Sequence, residues 1–400
     1  MSSGKLTLMT DDRSGNDFIR RSAGSLTVQA LLILIATRIV LFGLSAFSLR
    51  IMPRLPFYSA QPSDLRYSTD LLLDGWARWD SGHYVRIALH GYGVDEKGSP
   101  AFFPLFPLLM RGLVAISGLT PTTDHLGMVA ILIANVCFAI AVPLFAHLVN
   151  HTFGMEIART ATLLLCISPF SFFFIAGYSE SLFLLLTTLA FTLASRRRWL
   201  VAALCAAFAA SSRLTGLALL PALLLLGWRL HARPRDLLGI ALLSPLGTVA
   251  WSAWCWWRLG DPRAWLTAQD NWGGWYERVG YYLDLFTRHP RETLIGDPRH
   301  LIIVLNVALL GMWLVSLPWV WRLLDPGIAL FTTLLVVTHG ATTWISMGRY
   351  LLPAIGFYVT FAILLTRAGR NGWPRDLAIA SSCILLAMLT LLFGHGFWVI

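Results

Sequence analysis

The sequence predicts an all-α polytopic membrane protein, on three observations: its composition, the length of its apolar runs and the placement of its arginines. Of its 400 residues 56% are hydrophobic and only 13% are charged, and the mean hydropathy is +0.65. A soluble globule of this length does not need that excess, so lipid is the expected solvent. Apolar runs able to cross a hydrocarbon core of about 30 Å recur from Leu26 to the last residue. They lie near 27–48, 126–149, 159–175, 178–195, 198–210, 213–229, 236–257, 301–322, 326–344, 349–366 and 376–398, about eleven spans. The pair at 198–229 is short and also reads as one broken helix.

The first span is too long, and too poor in a small-residue cleavage site, for a removable signal peptide, so Met1–Ser25 is expected to be a polar cytoplasmic tail. Arg20 and Arg21, Arg196–Arg198, Arg229/Arg233/Arg235, Arg322 and Arg367/Arg370/Arg375 all fall on one side if every span crosses once. Those loops are then cytoplasmic. The long segments 49–100 and 258–300 lie outside, each with six acidic and six basic residues. The apolar segment 101–118 would invert everything after it if it crossed. Pro104, Pro107 and Arg111 suggest instead a re-entrant or interfacial helix. The alternative is a true span, compensated by fusing 198–229 into one helix. One membrane domain over 1–400 is the economical reading, since neither heptads nor an internal repeat is apparent.

Cys137, Cys166, Cys205, Cys255 and Cys383 all sit in apolar runs without CxxC or Cys/His spacing, which indicates neither disulfides nor a zinc site. The net charge of +10 is spread over short loops, which argues against nucleic acid. Chemistry is expected where polar groups meet the membrane. In WARWDSGHYVRIALHGY, Asp80 stands among Trp79, Gly82, His83 and Tyr84, a setting for a partly buried carboxylate able to take a proton from a hydroxyl. The same spacing suits an aromatic belt in which Asp80 merely pairs with Arg78 or Arg86. In FFFIAGYSESLFLLL, Tyr178 and Glu180 mark a sharp turn, where Ser179 and Glu180 also suit helix capping. Arg38, Arg213 and Arg349 lie at membrane depth, where arginine costs at least ~2.5 kcal/mol and so takes a partner or faces a polar cavity. A phosphate is one such partner; snorkelling is the other reading, and the better one for Arg38. Gln269 and Trp272, in the aromatic loop GDPRAWLTAQDNWGGWYERVGYY, suit a sugar surface, although lying on headgroups asks for the same composition.

These motifs, taken in order, resemble a family. RWDSGHYVRIALHGYG with AFFPLFPLLMR, then SPFSFFFIAGYSESLFLLL, SSRLTGLALLPALL, GDPRAWLTAQDNW and SMGRYLLPAIGFY look like the motif set of bacterial relatives of GPI mannosyltransferase II, the PIG-V type. The resemblance implies a GT-C fold and an inverting transfer of a sugar, usually mannose, from a polyprenyl- or dolichyl-phosphate carrier to an acceptor hydroxyl. It implies Asp80 as catalytic base, with Arg213 and Arg349 facing the donor phosphate and Glu180, Tyr178 and Tyr350 beside them; Trp79, His83 and Tyr84, around Asp80, are expected as further substrate contacts from their place in the motif. His83 departs from the pattern, which leads one to expect a second aromatic there. No cofactor is required if arginine neutralises the leaving phosphate, and a divalent metal is not indicated, although some GT-C relatives use one. The partners expected are a lipid-linked donor, a hydroxyl acceptor and the bilayer of the inner (plasma) membrane, with the active site outside. The competing classes are a transporter or flippase for lipid-linked sugars and a binding subunit.

Overall fold

The computed structural model describes residues 12–52, 70–93, 98–272, 275–291, 298–342, 346–367, 372–397 and 399. Within these, the side chains of 12–23, 71, 271, 272, 275–279, 282, 298, 299, 301 and 342 are left aside. Only helices and turns occur among the described residues, as lipid requires of a chain that must satisfy its backbone internally. In order the helices are α1 (Asp12–Ile51), α2 (Leu71–Trp76), α3 (Asp80–His90), α4 (Leu105–Ile116), α5 (Thr123–Phe153), α6 (Met155–Ile167), α7 (Glu180–Ser195), α8 (Trp199–Ser212), α9 (Leu219–Arg229), α10 (Pro234–Leu243), α11 (Leu246–Leu259), α12 (Ala264–Thr267), α13 (Trp275–Arg288), α14 (Pro298–Leu323), α15 (Pro326–Thr342), α16 (Met347–Tyr350), α17 (Ile355–Arg367) and α18 (Trp373–Gly394).

Five stretches are long and apolar enough to cross a membrane: Gly24–Ile51, Thr123–Phe153, Pro234–Leu259, Ile302–Leu323 and Trp373–Gly394. In the first, Val28, Leu32, Ile35 and Ile39 form an exposed stripe at helical spacing, while Leu26, Ala30, Leu34 and Leu41 are buried on the other face. One stripe faces lipid and the other the bundle. The central element is α5, packed against α1, α6 and α7. Its inner face, Ala130, Ala134, Phe138, Ala141, Phe145 and Ala146, alternates small with large residues and lets the neighbouring helices approach closely.

The expected runs correspond to helices, with four differences. Helix α1 already begins at Asp12, so part of the expected polar tail is helical. The run 159–175 stops at Ile167, followed by a 3₁₀ turn at Ser171–Phe174. The run 349–366 is split into α16 and α17, and Ser244–Pro245 separates α10 from α11. The segment 198–229 is two helices, not one broken one. Arg213 is extended (φ −156°, ψ 143°), and a Cβ on Gly216 would stand 2.3–2.6 Å from the backbone of Ala209 and Ala210, so glycine permits the tight return. At the far end Arg197 Nη1 donates to Leu230 O at 3.0 Å, closing the hairpin.

Helix α4 does not link the two ends of the bundle. Phe106, near its start, packs on Tyr84 of α3 (4.9 Å between ring centres). The chain then turns through Thr122, whose hydroxyl caps α5, and near the start of α5 Gly127 packs against Ala77, beside α2. Both ends of α4 therefore belong to the end that carries α2 and α3, which agrees with the re-entrant reading of 101–118. With only 12 residues it reaches about 18 Å, short of a hydrocarbon core.

Candidate active site

Asp80 opens α3 directly after a clamped turn. Arg78 does not serve it, because that guanidinium pairs with Asp74 one helical turn earlier, at 2.8 Å with both groups buried. The turn is held from outside by the Tyr178 hydroxyl, which donates to Arg78 O at 2.9 Å, and by the Gly177 amide, which donates to Trp76 O at 3.1 Å. Trp79 lies in that turn at φ 55° and ψ −116°, a conformation a bulky residue adopts only when its surroundings impose it. The strain falls on the residue immediately before the carboxylate.

Glu180 opens α7 at the same level. Asn135 Nδ2 donates to Ile175 O (3.1 Å) and Ser181 Oγ to Phe174 O (3.0 Å), which fixes the turn from Ile175 to Ser179. A Cβ on Gly177 would meet Ala130 Cβ at 3.0 Å and Ser81 Oγ at 3.2 Å, so this close approach favours glycine. Ser179 does not cap α7. Its hydroxyl is bonded to Tyr84 Oη at 2.9 Å and accepts from Arg213 Nη1 at 3.4 Å.

The arginines arrive from two chain breaks, Arg213 between α8 and α9 and Arg349 within α16. Ser346, just before α16, sits at φ 64°; the Gly348 amide donates to Asn306 Oδ1 at 2.9 Å. Gly348 is pressed on the Phe170 ring, where a Cβ would stand 2.1 Å from Cε2. Arg349 then bridges both carboxylates, with Nη1 on Asp80 Oδ2 at 2.7 Å and Nε on Glu180 Oε1. Arg213 Nη1 joins the same Glu180 oxygen at 2.7 Å. The Arg349 guanidinium also lies over Tyr178 (4.4 Å), and the Tyr350 ring is 5.4 Å from both guanidinium groups. Formally the four charges cancel.

Exposure ranks the cluster. The Asp80 side chain is 24% exposed and Arg213 13%, against 3% for Arg349 and 0% for Glu180. Asp80 is thus the most exposed member of the cluster and Glu180 the most enclosed. Burial pushes the Asp80 carboxyl up, but Arg349, His83 and Arg213 pull it down further, leaving it below the ordinary carboxylate value. It is held ionised and engaged by Arg349.

The structure brings together Asp80, Glu180, Tyr178, Arg213, Arg349, Tyr350 and Tyr84, drawn from positions up to 270 apart. His83, one turn after Asp80, is stacked on Phe102 at 4.5 Å, and Trp79 is half-buried. Glu180 and Tyr178 are fully enclosed and hold the arginines and the Asp80 turn. Gln269 is exposed and has no bond to the cluster among the described residues; the side chain of Trp272 lies outside them. The loop does come near, since Trp265 meets Phe103 at 6.2 Å. Arg38 lies over Phe138 at 4.4 Å and belongs to no part of this cluster. Three supports escaped the sequence reading: Asn306 under Gly348, His339 stacked on Tyr350 at 4.6 Å, and the Asp74–Arg78 pair. Only the last left a signal, its i,i+4 spacing. Among the described residues no group of three or more His, Cys, Asp or Glu gathers as a metal site would.

Comparison with known proteins adds three findings. Residues 23–226 match the family described as Mannosyltransferase (PIG-V). GPI alpha-1,6-mannosyltransferase 2 of Mus musculus is 38% identical over 183 residues, covering 44% of this chain and 35% of its own; that of Rattus norvegicus is 36% identical over 186 residues, covering 44% and 36%. The chain spans little more than a third of the length of these relatives. The apo crystal structure of ArnT from Cupriavidus metallidurans superposes with a TM-score of 0.49 at 15% identity, over 91% of this chain and 75% of that one.

Proposed function

We propose that this chain, which belongs to the PIG-V mannosyltransferase family, moves a sugar, most simply mannose, from a polyprenyl- or dolichyl-phosphate carrier to an acceptor hydroxyl. The observation that carries the reading is a partly exposed, ionised Asp80 held by buried Arg349, with Arg213 nearly buried beside it on Glu180. An acceptor hydroxyl beside Asp80 gives up its proton to Oδ as its oxygen attacks the anomeric carbon. The bond from that carbon to the phosphate oxygen breaks on the opposite face, and the lipid phosphate leaves with the electron pair in one inverting displacement. Arg213 and Arg349 neutralise the developing charge. The bonds of Arg213 to Ser179 and Glu180 both use Nη1, and a guanidinium carries five donors, so phosphate has donors to meet.

Because the four charges already cancel, an incoming phosphate adds net negative charge and competes with Asp80 for Arg349. Donor binding therefore loosens the Arg349–Asp80 pair and raises the basicity of Asp80 when the acceptor needs it. The arginine-rich loops at the opposite end support an active site on the outer face of the plasma (inner) membrane with the N-terminus in the cytoplasm, because basic loops stay on the cytoplasmic side.

The test uses protein purified in detergent, polyprenyl-phosphate mannose and a panel of hydroxyl acceptors, with release of polyprenyl phosphate as the readout. Native protein is expected to release it and Asp80→Asn to bind donor without release. Equal release by Asp80→Asn would overturn the base assignment. Failure of the native protein to bind the donor at all would overturn the carrier.

A further inference from the structure

The end of the bundle opposite Asp80 carries a second charged feature that transfer does not use. Helix α7 runs 16 residues from Glu180, about 24 Å, and ends in Arg196, Arg197 and Arg198. Helix α9 returns to the same end with Arg229, and α10 starts after Arg233 with Arg235 in its first turn. All six arginines, and His231 between them, are exposed. The two loops form one surface, because Arg197 Nη1 donates to Leu230 O at 3.0 Å and α8 packs on α10, where Leu200 lies 2.2 Å from the Cβ position of Gly239. Between α9 and α10 lies a groove of about 610 Å³ lined by Trp228, Arg229, His231, Ala232 and Leu237. Trp228 is 69% exposed beside it. Among the described residues no ion pair engages any of these arginines, and the nearest acid in sequence is Asp236.

We propose that this face binds the headgroup phosphate of an anionic phospholipid of the adjacent leaflet. The chemistry matches in three respects. Guanidinium forks suit phosphate oxygens. Exposed Trp228, with an apolar body and a polar N–H, suits the headgroup layer. The groove opens between helices, with Leu237 on its wall, so acyl chains stay in lipid while the phosphate meets the loops. Topology alone would need the charge, but not one surface made by bonding two loops together beside a groove.

Native mass spectrometry of the purified protein, titrated with phosphatidylglycerol or with phosphatidylcholine of the same acyl length, tests it. Phosphatidylglycerol is expected to bind at least ten-fold tighter, and increasingly weakly as salt rises. The triple variant Arg197→Gln, Arg233→Gln, Arg235→Gln should lose about five-fold per charge removed, from about 1 kcal/mol each. Arg258→Gln, at the Asp80 end, should lose nothing. If the triple variant fails to insert, the single substitutions Arg197→Gln and Arg233→Gln carry the same comparison. Equal binding of the two lipids, or undiminished phosphatidylglycerol binding by the variants, would overturn the proposal. Capture of inorganic phosphate as tight as that of the lipid would also overturn it, by assigning the face to a free anion.

Discussion

At the Asp80 end, Arg213 and Arg349 are nearly buried and both rest on Glu180, with Arg349 also holding Asp80. At the opposite end, the arginines of 196–198 and 229–235 are exposed and sit in short loops. The side chain is the same, and the solvent makes the difference. A guanidinium removed from water needs a carboxylate in good geometry, and once paired it fixes where that carboxylate points. One left at the surface keeps its donors for water or for a headgroup, and contributes a field instead of a position. The first set can therefore take part in chemistry that depends on tenths of an ångström; the second can act only as a charged surface.

Substitutions at the two ends should differ accordingly. The largest effect is expected at Asp80. Asp80→Asn should lower transfer by about 10²–10⁴-fold, the usual worth of a general base, with donor binding nearly unchanged, as single-turnover kinetics and donor binding can show. Next is Arg349→Gln, which leaves Asp80 and Glu180 without their shared cation. About 3–5 kcal/mol of stability should go, read as a lower thermal midpoint in detergent, and Arg349→Lys should recover only part, since an ammonium is a point charge without the fork that serves two carboxylates. Gly348→Ala should cost about 1–3 kcal/mol through its collision with Phe170 and displace Arg349, so kcat/KM should fall along with the melting temperature.

The pH profile sharpens the same contrast. Asp80 must be ionised to act as base, and its pKa lies below the ordinary 3.8. The acid limb of kcat/KM should therefore fall below that value, with activity level from there to neutrality. In Arg349→Gln a lowering influence is lost, so the limb should move to higher pH; a limb that stays in place would show that Arg349 does not control Asp80. The smallest effect is expected at the other end, where Arg233→Gln should change stability by less than about 0.5 kcal/mol and leave turnover as it is. A large loss of turnover there would break the division between the two ends.

Much of the site was legible because charge in an apolar chain is conspicuous. Asp80, Glu180, Arg213 and Arg349 stand out in runs where each ionised group must have a reason to be present. Their partners did not stand out. The local reading offered Arg78 and Arg86 to Asp80, both close in sequence, whereas the structure gives it Arg349, 269 positions away. Capping was an equally good account of Ser179 until its hydroxyl was found on Tyr84. Gly348 and Asn306 carried no signal at all, because a glycine and a lone amide in apolar surroundings become meaningful only when a ring and a backbone amide arrive beside them.

The sequence by itself determined the solvent and the helices. Hydrophobicity and backbone satisfaction act locally, over runs of about twenty residues, and arginine counts act loop by loop. Only the tertiary structure decided that α4 turns back, that 198–229 is a hairpin, and that one guanidinium serves two carboxylates. Those facts depend on close approach between segments distant in the chain, where Gly216 and Gly348 leave no room for a Cβ and Gly177 leaves little, and periodicity along the sequence carries no record of which distant surface it will meet.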